Sequence, residues 1–553
     1  QFGDEHGLGI NEAGVESVEV IKGPASLLYG SDALGGVLYL NPEKFALSGE
    51  THGDLSSTYF SNTLGTSTNL GVKTSGEKLK FLARGSYSSF SDYETGADYR
   101  VTNSRFNEKD IKTGVQYLGT KFKSTLRYNY NRSNIGIAEE VGEQSRSKDL
   151  ELPFQEIDNH ILSLENTIFF NNSSLDVKVG YLFNDRREFE DDPATAALRL
   201  KLHTFNYDVK YNLPELGKFE TIVGLQGMFQ NNKNDGEEIL IPDANTTDIG
   251  LLATSHYHME KIDLQAGIRF DTRKIESDGA RNPFDANYIQ ALNKTFTSFT
   301  AALGAKMDLV ENLSARVNLA SGFRAPNLAE LTSNGVHEGT NRYEKGNANL
   351  TNEQNFQADV SMEYRNKHIE VFANGFYNAV NNYIFISPTD EAIDDTPVYD
   401  YLQNNATLYG GEFGFHLHPH PLDWLHLESS FETVTGKLNN DNYLPLIPAN
   451  SLRNTFRVEL NDGKTRKFSS AFITLESTFD QKNVSNFETR TGGYSLLSAG
   501  IESSFQLQKV LLKIGLNGTN LTNKEYISHL SRFKPEGIFN IGRSINVNLK
   551  IEI

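Results

Sequence analysis

From residue 53 onward this 553-residue chain alternates apolar and polar side chains in short segments, and the links between segments alternate short and long. Ile262, Leu264, Ala266, Ile268 and Phe270 are interleaved with Asp263, Gln265, Gly267 and Arg269. Leu313, Ala315, Val317 and Leu319 are interleaved with Ser314, Arg316 and Asn318, and Ile545, Val547, Leu549 and Ile551 with Asn546, Asn548 and Lys550. A period of two places the two sets on opposite faces of a sheet. A soluble sandwich also alternates, so the links decide. Tight ones such as Glu260-Lys261 and Asn366-Lys367 alternate with links of 15 to 36 residues. Loop lengths segregated in this way mark an outer-membrane barrel, which has short periplasmic turns and long outer loops. The segments number 22, from 53–61 to 544–553, and include 203–211, 368–377 and 405–417. The predicted fold class is all-β, a 22-stranded antiparallel transmembrane β-barrel.

No run of 18 apolar residues occurs, which excludes a transmembrane helix but not spanning strands of about 10 residues. Cysteine is absent, so disulfides, thiolate metal sites and Cys nucleophiles are excluded. No nucleophile elbow, phosphate loop or positioned acid–base pair is present, and Asp191-Asp192 and Asp394-Asp395 are loop carboxylates, so no enzymatic activity is expected. Apolar faces are expected to meet lipid and polar faces to line the lumen. Aromatics at strand ends, such as Tyr128, Tyr130, Phe376 and Tyr377, are expected in the interfacial girdles. A barrel of this width is not filled by its own side chains, and such lumens are plugged.

Residues 1–50 read differently. The run from Val15 to Leu40 contains a strand, Gly23-Pro24, a short turn with Tyr29-Gly30, then Gly35-Gly36 and a second strand. It resembles the end of the plug domain of TonB-dependent outer-membrane receptors. Ser321 to Leu331, with Phe323, Arg324 and Pro326, resembles the family's barrel signature, and Asn517 to Tyr526 with Gly542-Arg543-Ser544 resembles its C-terminal strands. The resemblance implies a C-terminal part of a plug over 1–50 and a transmembrane barrel with long extracellular loops over 51–553. It further implies a Gram-negative outer membrane bearing lipopolysaccharide. The implied activity is import of a scarce nutrient, energised by the TonB–ExbB–ExbD system through a segment ahead of Gln1.

Several stretches look like the zinc- and haem-type branch of that family. Gly3-Asp4-Glu5-His6-Gly7 sits where a plug apex could rise, and Gly335-Val-His-Glu-Gly-Thr340 lies in a long outer loop. Asp4, His6, His337 and Glu338 are the candidate metal ligands, since imidazole with carboxylate suits Zn²⁺. Haem is the alternative cargo, with His337 or His6 as axial ligand. A siderophore complex, or a barrel that only anchors a binding surface, is the further alternative. No cofactor is required. His416, His418 and His420 share a face at a periplasmic turn with Pro419 and Pro421, and are read as structural; His256 and His258 are treated alike. The stretches 132–159, 184–192, 230–248 and 378–404 hold 22 acids against 6 Lys and Arg, most of the chain's net −19. As outer loops they would form a negative rim that attracts cations, repels nucleic acid or binds structural Ca²⁺.

Overall fold

The computed structural model describes residues 9–22, 26–138, 141–285, 287–337, 342–393, 395–460 and 469–553. The plug segment is an antiparallel hairpin of β1 (Val15–Lys22) and β2 (Gly36–Pro42), joined through the short helix α1 (Ser26–Tyr29). Gly36 ends the return, with φ +138°, and a Cβ there would lie 2.5 Å from the Ile21 carbonyl oxygen. Only glycine tolerates that approach.

The barrel strands follow in chain order. They are β3 (Thr51–Phe60), β4 (Gly65–Ser75), β5 (Leu79–Phe90), β6 (Phe106–Leu118), β7 (Phe122–Gly136), β8 (Phe154–Phe169), β9 (Ser174–Phe189) and β10 (Leu198–Asn212). Next come β11 (Phe219–Asn234), β12 (Ala244–His258), β13 (Ile262–Ser277), β14 (Leu292–Val310) and β15 (Leu313–Arg324). The long link after β15 carries helix α2 (Leu328–Thr332) and a small hairpin, β16 (Asn334–His337) and β17 (Arg342–Lys345). The barrel then resumes with β18 (Glu353–Arg365), β19 (Ile369–Ile393), β20 (Thr396–Leu417), β21 (Leu425–Leu438), β22 (Ser451–Glu459), β23 (Ser470–Thr478), β24 (Tyr494–Leu507), β25 (Val510–Thr519) and β26 (Ser544–Glu552). Among the described residues 22 antiparallel strands close the barrel, the last pair being β26 with β3.

In the membrane zone the usual distribution of polarity is inverted. Along β13, Leu264, Ile268 and Phe270 are exposed on the outer face, while Arg269, Asp271 and Arg273 are buried on the lumenal face. Neighbouring strands add Phe299, Leu303, Val317, Leu319, Phe356 and Val360 to the exposed set. A band of large exposed apolar side chains on a closed sheet is a surface made for hydrocarbon. The band ends in an aromatic layer. His160 stacks on Phe183 with centroids 5.9 Å apart, Phe183 on His203 at 4.6 Å, and the Tyr130 ring lies 4.9 Å from His160.

At the long-loop end the strands run past the predicted boundaries. The segment expected at 203–211 spans 198–212, 368–377 spans 369–393 and 405–417 spans 396–417. Beyond the aromatic layer neither face meets lipid, so the two-residue pattern fades although the ladder continues. Here the barrel mouth has an ordinary buried core of Leu198, Leu240, Ile241, Ile275, Leu292, Phe296, Leu328, Leu331, Leu350 and Ile384. The outer loops therefore form a packed roof.

The acidic stretches are correspondingly less free than the sequence implies. Residues 184–189 belong to β9 and 154–159 to β8, not to loops. Above the aromatic layer Arg187 bonds Asp158 at 2.6 Å, Arg132 pairs with Glu156 at 3.1 Å and Arg199 bonds Asp185 at 2.8 Å. Much of the charge read as an open rim is spent on neighbouring arginines.

Candidate functional site

Among the described residues, the plug segment seats against the lumenal wall through many polar contacts. Arg273 of β13 bridges Asp32 of the plug at 2.8 Å and Asp248 of β12 at 2.6 Å. Gln226 donates to the Leu28 carbonyl at 2.9 Å and also accepts from Arg269, which is held by Asp271. Arg84 of β5 spans Glu43 at 2.9 Å and Asp54 at 2.6 Å. Lys112 donates to the Asn11 and Ala13 carbonyls, and Lys22 pairs with Glu412 of β20. Two steric fits join them, Phe45 against Gly114 of β6 and Leu27 against β13. Gly267 of the wall faces Leu27, and a Cβ at that position would collide with the Leu27 side chain. Tyr29 is exposed, and Gly30 adopts φ +94° against the Arg269 guanidinium. Gly23 and Pro24 lie outside the described residues, and Gly35 has open space around it.

The second element is the roof. Phe323 is buried at the end of β15, and Pro326 is buried just before α2. Arg324 bonds Glu353 at 2.7 Å and Glu330 at 2.8 Å. Glu330 also closes a capping box: the Asn327 N–H donates to its carboxylate, and its own N–H donates to Asn327 Oδ1, both at 2.8 Å. Arg324 thus ties the start of the long loop to its helix and to the returning strand.

His337 sits beneath this roof, 3 % exposed. Its Nδ1 lies 3.1 Å from Glu344 Oε1, and Tyr401 donates to Glu344 Oε2 at 2.8 Å. Burial pushes the Glu344 carboxyl up, but the His337 bond, the charges of His337 and Arg342, and the Tyr401 hydroxyl together bring it below its ordinary value. The Tyr401 hydroxyl is pushed well up by burial and by the Glu344 charge. A carboxylate on Nδ1 fixes the ring and tautomer, as it does behind metal-bound histidines. Asp4, His6 and Glu338 lie outside the described residues. Glu344 and Tyr401 escaped the sequence because β17 pairs in parallel with the outer part of β20, bringing Glu344 opposite Tyr399. No local spacing announces that contact.

At the short-turn end the expected grouping of His416, His418 and His420 is partly corrected. His416 and His418 stay together, but the third imidazole is His426 of β21, with all three ligand atoms within 4.8 Å of one another. His420 instead faces Asp423 at 3.4 Å. Leu417 pairs with Leu427, so continuing the register toward the turn sets His418 opposite His426. Reflection about the turn was the signal available in the sequence. His258, by contrast, is held by Asp263 at 2.8 Å.

A closed 22-stranded barrel with an apolar outer band and a polar-seated hairpin in its lumen defines an outer-membrane β-barrel of the plugged class. Residues 40–521 match the family model for the TonB dependent receptor-like β-barrel, and residues 2–37 match the TonB-dependent receptor plug domain. The chain belongs to the TonB-dependent receptor family. It is 21 % identical over 400 residues to the vitamin B12 transporter BtuB of Photobacterium profundum, a match covering 71 % of this chain and 58 % of that protein. The copper transporter OprC is similar in fold, with TM-score 0.83 at 16 % identity, covering 98 % of this chain and 86 % of that one. The FrpB iron transporter of Neisseria meningitidis gives TM-score 0.77 at 12 % identity, covering 98 % and 88 %.

Proposed function

We propose that this protein imports a scarce nutrient across the outer membrane, with TonB, ExbB and ExbD supplying energy through the N-terminal part of the plug. Residues 1–50 are read as the plug portion and 51–553 as the barrel. The observation that carries this is the polar seat of the plug segment. Ion pairs such as Lys22–Glu412 and Asp32–Arg273 can be exchanged for water when the plug shifts, whereas a dry apolar seat would resist movement. A barrel that only anchors a binding surface needs neither plug nor seat.

The cargo we propose is a metal ion or metal complex. Zn²⁺ is the specific ion, taken by Asp4, His6, His337 and Glu338. Support comes from the Glu344-braced imidazole of His337. The names of the relatives cover vitamin B12, copper and iron, which supports a scarce nutrient without favouring zinc. Haem or a siderophore complex is the alternative cargo. Lipopolysaccharide is the proposed neighbour of the outer face, with Ca²⁺ bridging to acids of the loops.

The test is accumulation of radiolabelled zinc, iron, copper and haem by cells carrying the full-length receptor, with and without TonB. TonB-dependent zinc uptake that falls in His337→Ala is expected. TonB-dependent uptake of another of these cargoes would replace zinc, and no TonB-dependent uptake of any would remove the transport reading.

A further inference from the structure

The periplasmic mouth carries chemistry that the import reading leaves unused. Five of the chain's 13 histidines, His368, His416, His418, His420 and His426, lie at or beside the turn between β20 and β21. Three of them form a compact set. The ring centroids of His416 and His418 are 4.1 Å apart, those of His418 and His426 4.6 Å, and those of His416 and His426 5.2 Å. His416 Nε2 and His426 Nδ1 are 3.0 Å apart. Tetrahedral coordination with metal–nitrogen bonds of about 2.0–2.1 Å needs nitrogens roughly 3.3 Å apart, close to that separation.

The set faces the lumen. Glu412, which takes Lys22 of the plug, lies on the same face of β20 as Gly414 and His416, two and four residues further along the strand. Phe413, of opposite parity, is exposed on the outer face. One carboxylate stands behind an imidazole, Glu459 behind His426, and another, Glu428, lies beside the metal-facing nitrogen of His416. Glu428 is 3.5 Å from His416 Nε2 and Glu459 is 3.7 Å from His426 Nε2. Arg457 pairs with both acids, leaving two carboxylates against one guanidinium. That excess of negative charge favours a cation among the three imidazoles. Glu459, on the far nitrogen of His426, takes the place of the carboxylate that usually backs a histidine ligand in a metal site.

We propose that His416, His418 and His426 bind one borderline divalent transition-metal ion of the Zn²⁺, Ni²⁺ or Cu²⁺ class at the periplasmic mouth of the lumen. Imidazole nitrogens select this class, whereas Mg²⁺ and Ca²⁺ require oxygen donors. On binding, the proton shared between His416 Nε2 and His426 Nδ1 gives way to the metal. It moves to the other nitrogen of the same ring, so both facing nitrogens become ligands. His426 Nε2 then presents its N–H to Glu459. The site is separate from the roof around His337 and does not depend on which cargo is imported.

The experiment is calorimetric titration of Zn²⁺ and of Ni²⁺ into the purified, chelator-treated full-length receptor in detergent. It compares wild type with His418→Ala/His426→Ala, His418→Gln, His420→Ala and His337→Ala. Folding of each is checked by heat-modifiable mobility on electrophoresis. We expect a site, separate from the one proposed around His337, that weakens in His418→Gln and is lost in the double variant. The loss should exceed the roughly 10–100-fold that removal of a single outer-shell partner costs. His420→Ala and His337→Ala should retain it. Cu²⁺ bound to wild type should show nitrogen hyperfine coupling in its paramagnetic resonance spectrum, and His418→Gln should lose one nitrogen. No binding by folded wild type, binding unchanged in folded His418→Gln, or copper spectra without nitrogen coupling would each overturn the proposal.

Discussion

The membrane zone and the outer roof of this barrel solve the burial problem in opposite ways. Around β13 the apolar residues Leu264, Ile268 and Phe270 face outward and the buried layer is ionic, with Arg269 against Asp271 at 2.7 Å. A few turns of ladder higher, Ile275 of the same strand and same lumenal parity is buried among Leu198, Leu292 and Leu331. One strand thus crosses from a polar interior to an apolar one. The difference shows that the solvent outside the sheet, not the sheet itself, decides which face carries grease. Where lipid wets the outside, the lumen can remain polar and hold a plug by exchangeable contacts. Where water wets the outside, the interior must be dry to hold the loops.

Breaking the ionic interior should have the largest effect. Asp271→Ala leaves Arg269 buried beside Gln226 and is expected to cost about 3–5 kcal/mol of barrel stability. Denaturant unfolding in detergent measures it, and the double change Arg269→Met/Asp271→Leu should recover much of the loss. In the roof, Leu331→Ala should cost about 2–5 kcal/mol. That cost should be local: proteases should cut the link between β15 and β18 while the barrel keeps its heat-modifiable mobility. Equal loss of barrel stability would mean that the two regions form one cooperative unit.

On the outer face Ile268→Arg is expected to cost about 2–4 kcal/mol in a bilayer. The same change in the aqueous roof zone would cost far less.

The roof should also carry its own pH dependence. The folded state holds Glu344 below its ordinary value, so its contribution is present above about pH 4.3 and lost as pH falls through the folded value. Glu344→Gln should cost about 1 kcal/mol at neutral pH and reduce the acid-side slope of roof protection from proteolysis. An unchanged slope would show that the His337–Glu344 contact is not a stabilising pair. The smallest effect belongs to the exposed Lys345–Glu391 bridge. Glu391→Gln should leave unfolding and proteolysis indistinguishable from wild type.

These regions also differ in how far they could be read in advance. The membrane zone was legible because lipid imposes a strict two-residue rule on every strand. All 22 segments appear in the structure, with errors mainly at their outer ends. The roof was not legible, because its core joins Leu198, Leu240, Leu331 and Ile384 from distant links with no shared period. The same contrast divides the candidate residues. His416 and His418 were visible as a pair on one face, and His426 followed only once the turn fixed the register. Glu344 reached His337 through a parallel contact between a loop hairpin and the long outer extension of β20.

By itself the sequence determined the class of fold, the number of strands and the presence of a plug segment, because alternation, loop length and the glycine-rich hairpin are local properties of the chain. Tertiary structure alone decided which acids are free, since Glu156, Asp158 and Asp185 find their arginines across neighbouring strands. It also decided that the outer loops pack into a roof, and that three histidines from the two sides of the turn between β20 and β21 converge at the inner mouth. The physical reason is that charge pairing, dry packing and metal geometry depend on distances of a few ångströms between residues far apart in the chain, and closure of the barrel sets those distances.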